Sequence, residues 1–74
     1  MWKCLTDLHE GESAEVEYLL NTGVIKRRLQ DLGLVEGTNV VCLQKSPYGN
    51  PVAYQIRGAV IALRVADASM VIIR

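Results

Sequence analysis

The sequence has little of what most enzymes and nucleic-acid-binding proteins use. It holds one histidine, His9, and contains no Walker loop, dinucleotide-binding glycine motif, zinc-protease motif or nucleophile elbow. A catalytic site generally needs a nucleophile, a base and a group that orients them, so no enzyme is predicted. Eight Lys and Arg residues balance eight Asp and Glu residues, which leaves no basic surplus for phosphate contacts. Nucleic acid is therefore not an expected partner.

Signals for export and for membrane insertion are also missing. The start of the chain lacks the long apolar run of a signal peptide. No stretch approaches the roughly 18 consecutive apolar residues of a membrane-spanning helix. Cys4 and Cys42 form no C-x-x-C pair, so we expect both thiols to be reduced. These absences predict a soluble, cytoplasmic protein without direct membrane insertion.

What is present indicates one small folded domain. Half of the residues are apolar, and no linker, repeat or low-complexity segment divides the chain. We therefore predict a single domain over residues 1–74. Because a core of this size supplies only a few kcal/mol of net stability, the fold must be compact and efficiently closed.

Alternation of apolar and polar residues predicts strands along most of the chain. Ala14, Val16, Tyr18 and Leu20 alternate with glutamates, which is typical of a half-buried strand. Similar patterns predict four further strands, at 38–46, 52–58, 59–65 and 70–74. Turn residues separate them, most densely at "SPYGNP".

These strands predict a small β-barrel. The adjacent apolar residues of 40–43 indicate burial on both faces, as where a sheet is covered or closes on itself. About five short strands and one helix favour a barrel, because closure removes exposed edges. The alternative is an open edge, such as a strand over 69–74, that pairs between copies and gives a homo-oligomer.

The stretch "VIKRRLQDLGLVEG" at 24–37 changes from a period of two to a helical period. Ile25, Leu29 and Leu32 fall on one helical face. Gly33 is placed to stop the helix, and Leu34 to contact Leu29 behind it. A helix of about ten residues is marginal alone, so we expect it to be docked through its apolar face.

Two exposed groups are candidates for binding a partner. The outer side of the helix holds Lys26, Arg27 and Gln30. This basic side is a solvated helix face, a phosphate contact or a protein interface; the charge balance argues against phosphate, and arginine suits a protein partner. Tyr48 and Asn50 lie at the hairpin tip, where a tyrosine is a common interface anchor. A plain hairpin turn is the alternative there.

A metal site is the next hypothesis. His9, Glu10 and Glu12, with Asp7 and Cys4 nearby, are side chains of the ligand type for Fe²⁺ or Zn²⁺. Their spacing matches no established ligand pattern, and a solvated acidic loop is the alternative. An anaerobic titration with Fe²⁺ discriminates between the two.

Four segments share an order and spacing that is characteristic as a set. They are L-x-x-L-x-x-G-x-x-A-x-V from Leu5, "RRLQDLGLVEG" at 27–37, "SPYGNPVAYQIRG" at 46–58 and "IALRVADASMVII" at 61–73. No single segment is specific, but together they cover nearly the whole chain. In this set the sequence resembles the ferrous iron transport protein A family, FeoA.

The resemblance implies both a fold and a function. The implied fold is an SH3-like β-barrel of about five strands with one short helix inserted after the first strand. The implied function is that of a cytoplasmic accessory protein of bacterial ferrous iron uptake. Its expected partner is FeoB, the membrane transporter, contacted at its cytosolic GTPase region. The family supplies no agreed catalytic or iron-binding residue to carry over.

Two alternatives stay open beside this reading. One is a metal-sensing or metallochaperone barrel that holds a transition metal ion such as Fe²⁺ or Zn²⁺; otherwise no cofactor is expected. The other is an SH3-like binding module from a metal-dependent transcriptional regulator. No helix-turn-helix segment precedes the family pattern, and Met1 begins directly on it. We therefore expect that the chain is not a fragment of such a regulator.

Overall fold

Residues 3–74, which the computed structural model describes, form a mainly β fold. In chain order the elements are β1 (Lys3–Cys4), a 3-10 turn (Leu5–Asp7), β2 (Ser13–Leu19), α1 (Gly23–Asp31), β3 (Asn39–Lys45), β4 (Val52–Ile56), β5 (Ala59–Leu63), α2 (Val65–Ala68) and β6 (Val71–Ile73). The predicted strands and the helix after the first of them are confirmed. The structure has one strand that was not predicted, β1, because its two residues are too few to show an alternation of apolar and polar side chains.

The strands form one antiparallel sheet in the order β1-β6-β2-β3-β4-β5. Between residues 3 and 74 no ladder joins the outermost strands, so β1 and β5 are its two edges. The alternative in which a strand over 69–74 forms an open edge is not observed. The last strand, β6, pairs with β1 on one side and with β2 on the other, and its three residues are all buried.

The sheet curls around a single hydrophobic core. Its largest fully buried side chains are Tyr54, Leu5, Leu34, Ile56, Val16, Val40, Val71 and Cys42. Cys4 is half-buried and Cys42 is fully buried, and both are free thiols. Burial raises the pKa of the Cys42 thiol above its ordinary value, so this group is a core side chain and not a reactive thiolate.

Burial on both faces of β3 is not observed. Val40 and Cys42 are fully buried, whereas Leu43 is exposed and Val41 is half-buried. The pairing with β4 shifts register after Cys42, and the sheet is covered by the core on one face only. An apolar run here reflects a bulged strand with one buried face.

The end of β2 also differs from the prediction because of a register shift. The register with β6 shifts between Val16 and Tyr18, which interrupts the alternation of side chains. Leu19 therefore packs against the core, and Leu20 is exposed instead of lying on the buried face.

The helix α1 is docked, as predicted, through part of its apolar face. Leu29 is buried in the core and Ile25 packs against it. Leu32 lies just beyond the last helical residue and is 37% exposed, so its predicted burial is wrong. No helix within residues 3–74 is both long and apolar enough to cross a bilayer.

The C-terminal end of α1 is fixed by the predicted glycine stop. Gly33 has a φ of 110°, and its N–H donates to the Gln30 carbonyl at 3.0 Å. The Leu34 N–H donates to the Leu29 carbonyl at 3.0 Å, and the Leu34 side chain is fully buried. This pair of bonds is the Schellman arrangement, which ties the helix end to the core.

Candidate functional site

The outer side of α1 presents cations without intramolecular partners. Lys26, Arg27 and Arg28 are exposed, and among the described residues none of their side chains forms an ion pair or a hydrogen bond. Gln30 is exposed beside them. By contrast, Arg74 lies 3.4 Å from a carboxylate oxygen of Glu15 and from one of Glu36. The helix cations are therefore free to pair with the carboxylates of a partner.

Arg57 extends this basic side to the end of the helix. It has a φ of 51° and forms, with Gly58, the two-residue turn between β4 and β5. Its side chain lies over Gly33, where an added Cβ would be 2.9 Å from the Arg57 Cδ. A cation at this place also complements the carbonyl dipoles at a helix C-terminus.

A groove of about 280 Å³ separates α1 from β5 and α2. Its apolar lining comes from Ile25, Leu29, Leu32, Ile61 and Leu63. Arg28 and Arg64 line it as well, and Arg64 Nε is 3.5 Å from Asp67 Oδ2. The groove was not predicted from the sequence, although the apolar helix face of Ile25, Leu29 and Leu32 that lines it was.

The hairpin tip combines an exposed ring with a structural asparagine. The Tyr48 side chain is 95% exposed. The Asn50 side chain is already engaged, since its Oδ1 accepts a hydrogen bond from the Val65 N–H at 3.0 Å. This bond places the tip beside the start of α2, whose Asp67 lines the groove against α1. The predicted partner-binding residues thus lie on two elements with α2 between them.

The predicted metal ligands are near one another in sequence but do not form a site. Glu12 Oε1 accepts the His9 N–H at 2.7 Å and lies 3.0 Å from His9 Nδ1. Glu10 Oε2 instead accepts the Lys45 N–H at 2.7 Å. Across residues 3–74, no three His, Cys, Asp or Glu side chains come together in a way that could hold a metal ion.

The carboxylates of the acidic loop instead accept hydrogen bonds from the local backbone. The His9 backbone N–H, and then its imidazole, lower the pKa of the Glu12 carboxyl from its usual range. Asp7 Oδ2 similarly accepts the Cys4 N–H at 2.9 Å. These carboxylates accept hydrogen bonds from the chain itself, and within residues 3–74 no third donor side chain is grouped with His9 and Glu12.

The chain is similar to one part of a curated iron transport protein. Over 67 residues it is 31% identical to the Fe(2+) transport protein A/Fe(2+) transporter FeoB fusion protein of Porphyromonas gingivalis. The alignment covers 90% of this chain and 8% of that relative.

Solved structures share the fold closely. FeoA from Chlorobium tepidum is 30% identical, with a TM-score of 0.92, over 97% of this chain and 69% of the other. The zinc complex of Stenotrophomonas maltophilia FeoA, described as a prokaryotic SH3 domain protein, is 34% identical with a TM-score of 0.86, over 97% of this chain and 89% of that one. A manganese-dependent transcriptional repressor, 14% identical with a TM-score of 0.87 over 99% of this chain and 40% of its own, shares the fold alone.

These similarities confirm the SH3-like fold that the sequence resemblance implied. Residues 3–74 match the family described as the FeoA domain, which is the whole described part of the chain. The protein therefore belongs to the FeoA family.

Proposed function

We propose that this protein is a cytoplasmic accessory protein of ferrous iron uptake that binds the FeoB transporter at its cytosolic GTPase region and modulates it. The observation that carries the proposal is the Porphyromonas gingivalis relative, whose name joins an iron transport protein A with FeoB in one chain. Fusion holds two binding partners at a high effective concentration, so it supports association where the two are separate chains.

The proposed contact surface is the helix side with Lys26, Arg27 and Gln30, together with the hairpin tip. The unpaired cations suit carboxylates on the partner, because arginine forms two parallel hydrogen bonds with one carboxylate. Tyr48 adds a large exposed ring of the kind that anchors interfaces. Asn50 belongs to this surface as the residue that holds the tip against α2.

Modulation by binding needs no catalytic group on this chain. A partner that binds one conformation of a GTPase better than another shifts its population toward that conformation. The effect on the transporter is then limited by the difference between the two affinities. The proposal therefore requires an affinity that depends on the nucleotide bound to FeoB.

Isothermal titration tests this requirement. The protein is titrated into the cognate FeoB cytosolic GTPase region, once with GDP and once with a non-hydrolysable GTP analogue. We expect binding whose dissociation constant differs between the two nucleotide states. Equal affinities would contradict modulation through the nucleotide cycle, and no binding in either state would contradict the proposed partner region.

A further inference from the structure

The strand β5 is an open edge whose hydrogen-bonding direction follows from its hairpin. The two-residue turn Arg57–Gly58 has positive φ at both positions, 51° and 80°. Ile56 and Ala59 flank this turn and pair with each other. Residues that flank such a turn exchange both ladder bonds, and bonded pairs then alternate with non-bonded pairs. Ala59, Ile61 and Leu63 therefore direct their N–H and C=O groups toward β4.

The residues between them, Val60 and Ala62, direct their backbone N–H and C=O groups away from β4. These groups make no hydrogen bond with another residue among 3–74. The Val60 side chain is also exposed. An edge with free donors and acceptors at alternate residues is a template on which an extended segment can add as a further strand.

Side chains around this edge set the pattern of such a segment. Ile61 and Leu63 face inward, and with Leu32, just after α1, they give the groove an apolar lining. Arg64 follows Leu63 and also lines the groove, and its side chain is largely exposed there. An added strand would accordingly place apolar side chains in the groove and its alternate side chains, as carboxylates, toward solvent at the groove rim.

Charge distinguishes a partner protein from a second copy of this chain. Arg28 lines the groove without an ion-pair partner among the described residues, and Lys26 and Arg27 are adjacent to it. Pairing of two β5 edges from two copies would bring two such positively charged groups to one interface. Like charges in that arrangement disfavour association, whereas an acidic segment is attracted.

We propose that the β5 edge, with the groove against α1, binds an extended segment of a partner protein as an added strand. The segment alternates apolar residues, which enter the groove, with carboxylate residues, which lie near the exposed Arg28 and Arg64 at the groove rim. The identity of the partner rests on the proposed function above, but strand binding itself is tested without FeoB.

A proline substitution separates strand addition from general surface contact. In Ala62→Pro the lost N–H is the outward one, so every ladder bond to β4 is kept and the fold is retained. Ile61→Pro is the matched control, because it removes an inward donor and destabilises the sheet. Should Ala62→Pro lose its fold, the double variant Arg28→Glu/Arg64→Glu replaces it.

The probes are two capped heptapeptides, one alternating valine with glutamate and one alternating valine with lysine. Each is titrated into the ¹⁵N-labelled protein, and amide shifts and hydrogen exchange are recorded. We expect the glutamate peptide to shift signals of α1 and β5 and to protect the Val60 and Ala62 amides. We expect the wild type to bind the lysine peptide about tenfold more weakly than the glutamate peptide. We expect Ala62→Pro to bind the glutamate peptide about tenfold more weakly than the wild type does, as for one lost hydrogen bond. The Arg28→Glu/Arg64→Glu variant should favour the lysine peptide.

Several results would overturn the inference. Failure of the glutamate peptide to bind, or equal binding of both peptides, would contradict it. Amide shifts confined to strands other than β5, or a sedimentation dimer that Ala62→Pro dissociates, would also contradict it. Titration of the FeoB GTPase region with Ala62→Pro separates the two proposals. If the glutamate peptide binds and the FeoB region does not, the strand inference stands and the proposed function fails. If the FeoB region binds the wild type and Ala62→Pro equally and the glutamate peptide does not bind, the proposed function stands and the strand inference fails.

Discussion

At the residue scale, Leu29 is the main attachment of helix α1 to the hydrophobic core. Leu29 is the one buried side chain of α1. Its carbonyl accepts the Leu34 N–H, and the Leu34 side chain is buried in the same core. A nine-residue helix is not stable in isolation, so the position of the basic side depends on this contact.

Leu29→Ala should lower the free energy of unfolding by about 2–5 kcal/mol, since it leaves a cavity in a small core. Urea unfolding followed by circular dichroism measures the change. Val24→Ala is the matched control on the same helix, because Val24 is 76% exposed and its truncation should cost less than about 0.5 kcal/mol. Equal stabilities of Leu29→Ala and the wild type would contradict docking through Leu29.

Tyr54 is a buried residue with an unusual hydroxyl. Its side chain is fully buried, and its hydroxyl and the Asn21 Oδ1 are the buried side-chain polar atoms of the described chain without a hydrogen-bond partner. Loss of hydration, followed by the Cys42 and Cys4 thiols, raises the pKa of Tyr54 from 10.0 to about 12. The folded state thus favours the neutral phenol, and its contribution to stability is present below pH 10 and is lost as the pH rises toward 12.

Tyr54→Phe should therefore change stability in a way that depends on pH. At pH 7 we expect the free energy of unfolding to stay the same or rise by up to about 1 kcal/mol, because a hydroxyl without a partner is removed. Between pH 10 and about 12 the variant should lose less stability than the wild type. Urea unfolding at a series of pH values tests this, with Tyr48→Phe at the exposed hairpin tip as control. A loss of several kcal/mol at pH 7 would mean that the hydroxyl is hydrogen-bonded.

At the scale of elements, the end of α1 is set by a glycine under two constraints. Gly33 has a φ of 110°, which L side chains rarely adopt, and a Cβ there would be 2.9 Å from the Arg57 Cδ. The backbone constraint is intrinsic, whereas the arginine side chain is able to move.

Gly33→Ala should cost roughly 1–3 kcal/mol, the range for a residue held in a sparsely populated backbone conformation. Thermal and urea unfolding of the single variant, of Arg57→Ala and of the double variant separate the two causes. We expect the double variant to keep most of the loss, because the backbone conformation is unchanged. A double variant as stable as Arg57→Ala alone would show that the contact, and not φ, is responsible.

Most elements could be predicted from the sequence because their signals are local. Alternation identified the long strands, and the glycine stop of α1 was confirmed in detail. The errors at Leu20 and Leu43 arise at register shifts in β2 and β3, where one extra residue reverses which side chain faces the core. The position of β6 depends on its pairing with β1 and β2 near the other end of the chain, which no local pattern encodes.

The candidate site was predictable only in part, for a related reason. Lys26, Arg27 and Tyr48 could be identified because exposure follows from helical and turn patterns. The groove needs α1 and β5 to be placed side by side, which is a property of the tertiary fold. His9 and Glu12 are three residues apart in sequence, but among residues 3–74 the Glu12 carboxylate accepts the His9 backbone N–H and is not grouped with further metal-ligand side chains.

At the scale of the whole molecule, a net charge of zero conceals a separation of charge. Among the cations of residues 3–74 without a carboxylate partner, Lys26, Arg27, Arg28 and Arg57 are on or beside α1, and Arg64 lines the groove next to them. Glutamates are concentrated in β2 and in the loop before it. Such an arrangement orients an approaching partner and raises its association rate without requiring a net charge.

The rate of association with the FeoB GTPase region is the measurement that tests the central claim most directly. Stopped-flow binding compares the wild type with Lys26→Glu/Arg27→Glu at low and high salt, and Lys3→Glu/Lys45→Glu beside the acidic loop is a control with the same change in net charge. We predict that the helix variant associates about tenfold more slowly at low salt, that salt reduces the difference, and that the control changes far less. A helix variant that associates as fast as the wild type, or a control that is slowed equally, would contradict the assignment of the α1 side as the binding surface.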